Sequence, residues 1–488
     1  MKLGDIVGTE FDLSEDQASQ DIKGITADSR DVKSGYLFAA LPGTQVDGAK
    51  FIPSAIENGA AMILVCAKTQ ANISEHIPVL KVDNPRKFLA HFASRFYSEQ
   101  PEVSVAVTGT NGKTSVVSFV RQIWQLMGLK AASMGTTGLM IGNDTVSETL
   151  TTPEPVTLHK LLQDLAMQNI THVALEASSH GLQQHRVDGV CLKAAAFTNI
   201  SQDHLDYHVN FEHYFSQKLR LFSEVLPQDG IGVVNVDDAG GAQVVEALNQ
   251  RGLEVFSVGR AGKDLRLVDT LQQGYKQILH IFYDRKDYYI TLPLVGAFQA
   301  SNALVAAGLC LVSGAKADLV FQALENLNGA KGRLEHMGQT QTKAQVFIDY
   351  AHTPDALENV LLTLQPYVGK QGGRLFVVFG CGGDRDKGKR PLMGQISAKC
   401  ADVVYVTDDN PRSENPEDIR SEILDANSEA IEIGDRRDAI SDAIQQAHAG
   451  DIIVVAGKGH ETGQIMRDKV VPFSDHEVVM NILNLYVT

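Results

Sequence analysis

The feature that most constrains this chain is an alternation that runs almost from end to end. Short β-branched apolar runs are separated by longer segments with helical periodicity. A strand followed by a helix returns to pair in parallel with the next strand, so the pattern predicts doubly wound α/β sheets covered by helices. In a middle region, strands are expected at 103–108, 172–176, 194–198 and 231–235, antiparallel strands over 277–292, and a helix over 299–312. The alternation restarts near Gly332, with strands at 344–349, 374–380, 402–407 and 451–456, helices at 354–364 and 391–400, and a final helix after Ser474. Ahead of both lie weaker strands at 36–41 and 61–65 around a helix at 53–58, then a helix over 85–97 that runs to Gln100-Pro101 as a linker. The expected division is three domains: a small α/β N-terminal domain (1–92), a central domain with a parallel sheet (93–331), and a Rossmann-like C-terminal domain (332–488).

Composition narrows the class. At roughly 150 residues per domain, 488 residues also suggest three. Hydrophobic residues make up 44% and charged residues 21%, which excludes disordered, collagenous and coiled-coil chains. The longest apolar run, 303–311 with its single glycine, is far shorter than the ~20 residues that cross a bilayer. Met1-Lys2-Leu3-Gly4-Asp5 leads into polar sequence without the apolar stretch of a signal peptide. Cys66, Cys191, Cys310, Cys381 and Cys400 stand singly, as suits a reducing compartment. With 43 Lys+Arg against 59 Asp+Glu, the formal charge of −16 argues against nucleic acid or an anionic membrane as partner. The expectation is a soluble cytoplasmic multidomain enzyme.

The strongest local motif is Val105-Ala106-Val107-Thr108-Gly109-Thr110-Asn111-Gly112-Lys113-Thr114-Ser115. A strand enters a glycine turn and Lys-Thr opens a helix, whose first N–H groups attract phosphate. Lys113 supplies positive charge and the Thr114 hydroxyl is an oxygen ligand for Mg²⁺. The full Walker spacing needs glycine at 107, where Val107 stands, and the expectation for the central domain is a P-loop mononucleotide-binding domain. Glu176 ends a strand in Ala174-Leu175-Glu176-Ala177-Ser178-Ser179-His180-Gly181, where it reads either as a cap or as a metal ligand. Asp203 and His204 lie in a dense polar segment after the next strand, a site loop or a solvated one. Lys218 on local grounds reads as a solvated helix-face lysine. Four polar segments follow strands of the last domain: Asp349–Asp355, Gly380–Arg390, Asp408-Asp409-Asn410-Pro411-Arg412 and Ala456-Gly457-Lys458-Gly459-His460-Glu461. Together they predict a binding edge.

These motifs, along essentially the whole chain, resemble the Mur ligases, ATP-dependent amide-forming enzymes of peptidoglycan precursor synthesis. The Gly-Thr-Asn-Gly-Lys-Thr loop alone is shared with folylpolyglutamate synthetases, but Thr26-Ala27-Asp28-Ser29-Arg30, Gly43–Gly48 and Asp409-Asn410-Pro411-Arg412 point to the branch that adds meso-diaminopimelate. The resemblance implies that Gly109, Thr110, Asn111, Gly112, Lys113, Thr114, Ser115, Asn302, Arg333 and Asp349 bind ATP. Lys113, Glu176, His204 and Lys218 would serve catalysis. Thr114, Glu176, His204 and a carbamylated Lys218 would hold Mg²⁺, since a carbamate offers the oxygen ligands this hard cation prefers. The UDP-linked substrate would contact Ala27, Ser29, Thr44, Gln45, Val46, Thr151, Thr152, Ser178, Gln184 and Arg186. Diaminopimelate would contact Arg385, Asp409, Asn410, Pro411, Arg412, Gly457 and Glu461, with Arg412 on its extra carboxylate and Asp409 and Asn410 receiving the neighbouring ammonium. A monomer is expected. The competing readings are a lysine-adding homologue, a folylpolyglutamate synthetase, and an NTP-binding regulator without ligase chemistry.

Overall fold

The computed structural model describes residues 1–43, 46–70, 77–142, 144–147, 150–201, 207–369 and 372–484. It forms two compact units. The first comprises Met1–Val268 with Ile281–Tyr288 and Ser301–Ala323, the second Asp269–His280, Tyr289–Ala300 and Leu324–Thr488.

The first unit opens with a four-stranded sheet, Gly24–Thr26, Tyr36–Ala40, Ala60–Cys66 and Val79–Val82, paired in parallel in chain order. Alternate residues of a strand face opposite sides, and here both sides are apolar. Leu37, Ala39, Met62 and Leu64 pack with Leu89 and Phe92 of the Pro85–Phe96 helix. Phe38, Ala40, Ile63 and Val65 pack with Ile52 and Ala55 of the Ile52–Glu57 helix.

A larger sheet follows. Six of its strands lie in parallel in the spatial order Glu254–Gly259, Ile231–Asn235, Leu192–Phe197, Val103–Thr108, His172–Glu176, Ala131–Gly135. Two antiparallel strands, Gly138–Ile141 and Asp144–Ser147, extend it beyond Ala131–Gly135. From Val103–Thr108 the chain winds outward in one direction to Ala131–Gly135. It returns to His172–Glu176, then crosses to Leu192–Phe197 and winds the other way. The strand order therefore reverses around Val103–Thr108, and a crevice opens at the carboxyl ends of strands at such a point. The expected strands at 103–108, 172–176, 194–198 and 231–235 are all present, and the 277–292 pattern resolves into Lys276–Tyr283 and Lys286–Leu292. Asp284 and Arg285 join these two with φ of 44° and 62°, the paired left-handed residues of a tight hairpin turn. Sequence periodicity missed Leu265–Gln273, whose residues are mostly exposed, and so lacks a strong apolar signal.

The second unit holds a six-stranded sheet in the order Glu335–Gln339, Gln345–Asp349, Ile452–Ala456, Leu375–Phe379, Val403–Val406, Ile431–Glu432. All neighbours pair in parallel except the first two. Its central strands read as unbroken apolar runs because both faces are covered. Phe347, Val377, Val406 and Val454 enter one core, while Ile348, Val378, Tyr405 and Val455 enter the other. The carboxyl ends of Gln345–Asp349, Leu375–Phe379, Val403–Val406 and Ile452–Ala456 bring the four polar segments to one edge. Among the described residues no helix is long and apolar enough to cross a membrane.

One buried group ties the first unit's stability to pH. His159, on the Pro155–Met167 helix, has no exposed surface, and its Nε2 lies 3.0 Å from the Asp188 carbonyl. Burial pushes its pKa down to about 4 from the usual 6.5. Between those values the unfolded chain binds a proton that the folded chain refuses, so stability falls as pH drops from about 6.5 to about 4. His159→Gln should flatten that part of the profile, measured as thermal midpoint against pH for variant and parent.

Candidate functional site

The Gly109–Gly112 turn leaves the central strand of the first unit at the reversal point. Gly109 and Gly112 have φ of 150° and 86°, where a side chain is strained. A Cβ on Gly109 would collide with Thr198 Oγ1, and one on Gly112 with Asn302 Oδ1. Only glycine lets the turn close this tightly, and this is how Asn302 comes to stand against it. Neighbouring strands brace the turn. Thr110 N donates to Asn199 O at 2.9 Å and Asn111 N to Asn199 Oδ1 at 2.9 Å, while Thr198 Oγ1 donates to Asn111 O at 2.6 Å. The helix Lys113–Leu126 starts at Gly112 with no side-chain cap. Its first amides and the positive end of its dipole thus stand uncapped by any side chain at the crevice. Thr114 and Ser115 are buried there. Lys113 Nζ folds back to donate to Gly109 O at 2.9 Å and Thr110 O at 2.8 Å. This uncapped amide cluster fits a nucleotide phosphate.

Lys218 also reaches this turn. It is 1% exposed, so the local reading as a solvated lysine is wrong: the helix Phe211–Arg220 turns this face inward. Its Nζ donates to Gly109 O at 2.7 Å and sits 4.5 Å from the centre of the Tyr214 ring, whose hydroxyl bonds Thr110 Oγ1 at 3.0 Å.

Glu176, 2% exposed at its strand end, is held by Thr136: Oε1 accepts from the backbone N at 2.9 Å and Oε2 from Oγ1 at 3.2 Å. From there one hydrogen-bonded network runs through half of the substrate candidates. Thr136 Oγ1 lies 3.2 Å from Thr151 Oγ1. Thr152 Oγ1 donates to Glu176 O at 2.8 Å and lies 3.0 Å from Ser178 Oγ. Arg186 Nη1 donates to Thr152 O at 2.8 Å and Nη2 to Gln184 Oε1 at 2.9 Å, and an ion pair joins Arg186 to Glu154 at 2.6 Å. Gln184 Nε2 donates to Tyr207 OH at 3.0 Å. Ala27, Ser29 and Val46 lie apart from this network, beyond the carboxyl ends of the adjacent strands Gly24–Thr26 and Tyr36–Ala40, with Ala27 and Val46 exposed. Thr44, Gln45, Asp203 and His204 lie outside the described residues. Thr136, Glu154, Tyr207 and Tyr214 were missed because nothing in their own sequence context marks them. The oxygen donors Thr114 and Glu176 suit Mg²⁺, and among the described residues no cluster of three His, Cys, Asp or Glu side chains forms a metal site.

In the second unit, Asp349 spends both carboxylate oxygens on backbone amides, Leu334 N at 2.6 Å and Ala351 N at 2.7 Å. Burial pushes its carboxyl up, against the pull of Arg333. The Arg333 guanidinium lies 4.8 Å from the centre of the Tyr350 ring, and its Nε is buried without a partner. Pro411 and Arg412 follow Asp409 and Asn410 across the strand end. Arg412, left-handed at φ 52°, donates through Nη1 to Gly383 O at 2.8 Å. Its backbone is clasped by the hairpin Gly463–Met466 and Lys469–Pro472: Arg412 N donates to Ile465 O at 3.0 Å and Arg467 N to Arg412 O at 2.7 Å. Asn410 Nδ2 donates to Glu461 Oε2 at 2.9 Å, and its Oδ1 accepts from Ile465 N at 2.9 Å. Gly457 N donates to Asp349 O at 3.1 Å. Burial raises the Glu461 carboxyl, but Lys458 beside it pulls it below the ordinary value. Arg385 is exposed on the segment after Leu375–Phe379.

Comparison with known proteins follows the same outline. The Mur ligase family catalytic domain matches residues 21–97, the Mur ligase middle domain 107–310, and the Mur ligase glutamate ligase domain 332–459. The chain is 50% identical over 488 residues, 99% of each chain, to a UDP-N-acetylmuramoyl-L-alanyl-D-glutamate–2,6-diaminopimelate ligase of Rhizobium meliloti. It is 51% identical over 459 residues, 94% of this chain and 93% of the relative, to the protein of the same name in Brucella melitensis. A solved structure of a ligase with that name superimposes with a TM-score of 0.74 at 31% identity, covering 100% of this chain and 99% of the other. Three domain matches and half-identity over the full length leave one assignment: the chain belongs to the Mur ligase family.

Proposed function

We propose that this chain ligates meso-diaminopimelate to the D-glutamyl γ-carboxylate of UDP-N-acetylmuramoyl-L-Ala-D-Glu at the expense of ATP, in cytoplasmic peptidoglycan precursor synthesis. The observation that carries this is 50% identity across 99% of both chains to an enzyme with that name. In the three-domain division, residues 1–92 hold the uridine end, 93–331 the nucleotide and the reacting carboxylate, and 332–488 the amino acid, in a monomer.

The chemistry runs in two displacements. A γ-carboxylate oxygen attacks the terminal phosphorus of ATP, forming an acyl phosphate and releasing ADP. The diaminopimelate amine, having lost a proton, then attacks the acyl carbon. The tetrahedral intermediate expels phosphate and gives the amide. Crowded negative charge is the main obstacle, so binding and charge stabilisation carry the catalysis. The amides of Gly109–Ser115 and the Lys113 ammonium bind the phosphates, with Asn302, Arg333 and Asp349 as further nucleotide contacts. Thr114, Glu176, His204 and a carbamylated Lys218 would hold Mg²⁺, which when bound neutralises phosphate charge. Carbamylation joins Lys218 Nζ to CO₂ with loss of two protons, one to free the amine and one on forming the N–C bond, and turns a buried cation into an anionic oxygen donor. The Thr136-anchored network orients the substrate: Thr151, Thr152, Ser178, Gln184 and Arg186 bind it beside Glu176, and Ala27, Ser29, Thr44, Gln45 and Val46 take the uridine diphosphate. Arg385, Asp409, Asn410, Pro411, Arg412, Gly457 and Glu461 form the amino-acid pocket.

Arg412 decides the third substrate. A guanidinium matches the carboxylate that diaminopimelate has and lysine lacks, and a site built for a charged hydrogen bond rejects an analogue without it by roughly 10⁴–10⁵. Phosphate release with UDP-N-acetylmuramoyl-L-Ala-D-Glu, ATP and Mg²⁺ should therefore need meso-diaminopimelate and fail with L-lysine. Turnover with lysine would remove the role given to Arg412, and silence with both amino acids would remove the ligase reading. Arg412→Ala should raise KM for diaminopimelate by at least about tenfold, the loss of one charged hydrogen bond, and leave KM for ATP unchanged. Lys218→Ala should lose turnover and regain part of it with formate or acetate, which restore carboxylate oxygens. A folded variant that no small acid rescues would refute the carbamate.

A further inference from the structure

One fully buried ammonium in the second unit has no part in the reading above. Lys458, within Gly457-Lys458-Gly459-His460-Glu461, has no exposed surface. Its Nζ donates to Glu461 Oε2 at 2.9 Å and to Asn410 Oδ1 at 3.1 Å. The same Glu461 oxygen accepts from Asn410 Nδ2 at 2.9 Å, and the same Asn410 oxygen accepts from Ile465 N at 2.9 Å. Three side chains thus close a ring, and the hairpin backbone clamps it. An ammonium this deep persists only when paired, and the ring supplies its anion.

The ring changes what Asn410 can do. Its amide oxygen already accepts two bonds and its nitrogen donates one, so it serves the protein before it serves a ligand. Glu461 is half-buried at 31% side-chain exposure, whereas Lys458 is wholly enclosed. The cation therefore sits behind the carboxylate, on the side away from solvent. Without that cation, the Glu461 carboxylate would lose the ammonium that pulls it below its ordinary value.

We propose that Lys458 is a positioning residue of the amino-acid pocket: it is a buried positive charge that, braced by the Asn410 amide, sets the Glu461 carboxylate in place to receive the ammonium group of the incoming diamino acid. This rests on the assignment of the pocket to diaminopimelate.

The test is a double-mutant cycle on the full-length enzyme, with KM measured separately for each substrate. Lys458→Met should raise KM for meso-diaminopimelate at least about tenfold, with KM for ATP and for the UDP-linked dipeptide within about twofold. Because Lys458 acts through Glu461, the Lys458→Met/Glu461→Gln double variant should be no worse than Glu461→Gln alone. Losses that multiply, or equal rises in all three KM values, would overturn the proposal, since a general packing role gives either result. Lys458→Arg keeps the charge and decides the matter if the Met variant fails to fold: a KM for diaminopimelate that stays at least threefold nearer the parent's than that of Glu461→Gln supports the role of charge, and a loss equal to that of Glu461→Gln overturns it. Arg412→Ala separates the two claims. If it raises KM for diaminopimelate while Lys458→Met does not, the pocket stands and Lys458 falls. If it leaves that KM unchanged, the pocket assignment itself falls.

Discussion

Two lysine side chains from helices far apart in the chain, Lys113 and Lys218, donate to one backbone oxygen, the carbonyl of Gly109. That oxygen is accessible to both because Gly109 adopts a conformation in which any side chain would strike Thr198. The convergence fixes the start of the Lys113–Leu126 helix against the buried face of the Phe211–Arg220 helix. It also concentrates positive charge at the turn where we propose that the nucleotide binds. Lys218 is solvent-free for the same reason, and a buried amine is one that a change of chemical form can serve.

Around this point the first unit is organised by hydrogen bonds between strand ends. Thr136 anchors Glu176, Thr152 bonds Glu176 and Ser178, and Arg186 bonds Thr152 and Gln184. Each side chain in that network is held by another, so none has to be ordered when a ligand arrives. Preorganisation of this kind is how binding energy goes into orientation rather than into freezing side chains.

The second unit solves a different electrostatic problem. We propose that its edge accepts a zwitterion, and it carries carboxylates and guanidiniums within a few residues of one another. Arg412 is held by Gly383 O and by the hairpin backbone, and Glu461 by Lys458 and Asn410. Each of these charged groups thus already has a partner within the protein.

What the amino-acid sequence determined by itself was local. The Gly109–Gly112 turn was legible because its glycines, the Lys-Thr after it and the adjoining ends of the strand and helix lie within a dozen residues, and the backbone there is set by short-range sterics. The parallel sheets were legible because both faces of each central strand are buried and the runs read as apolar. Family motifs supplied most of the proposed site residues. Only the tertiary structure decided that Lys218 is buried rather than solvated, and that strand order reverses around Val103–Thr108. It alone paired Thr136 with Glu176, 40 residues on, and Asn410 with Lys458, 48 residues on. Such contacts follow from which strands neighbour one another, and a side chain's own sequence context holds no record of its partner across the sheet edge.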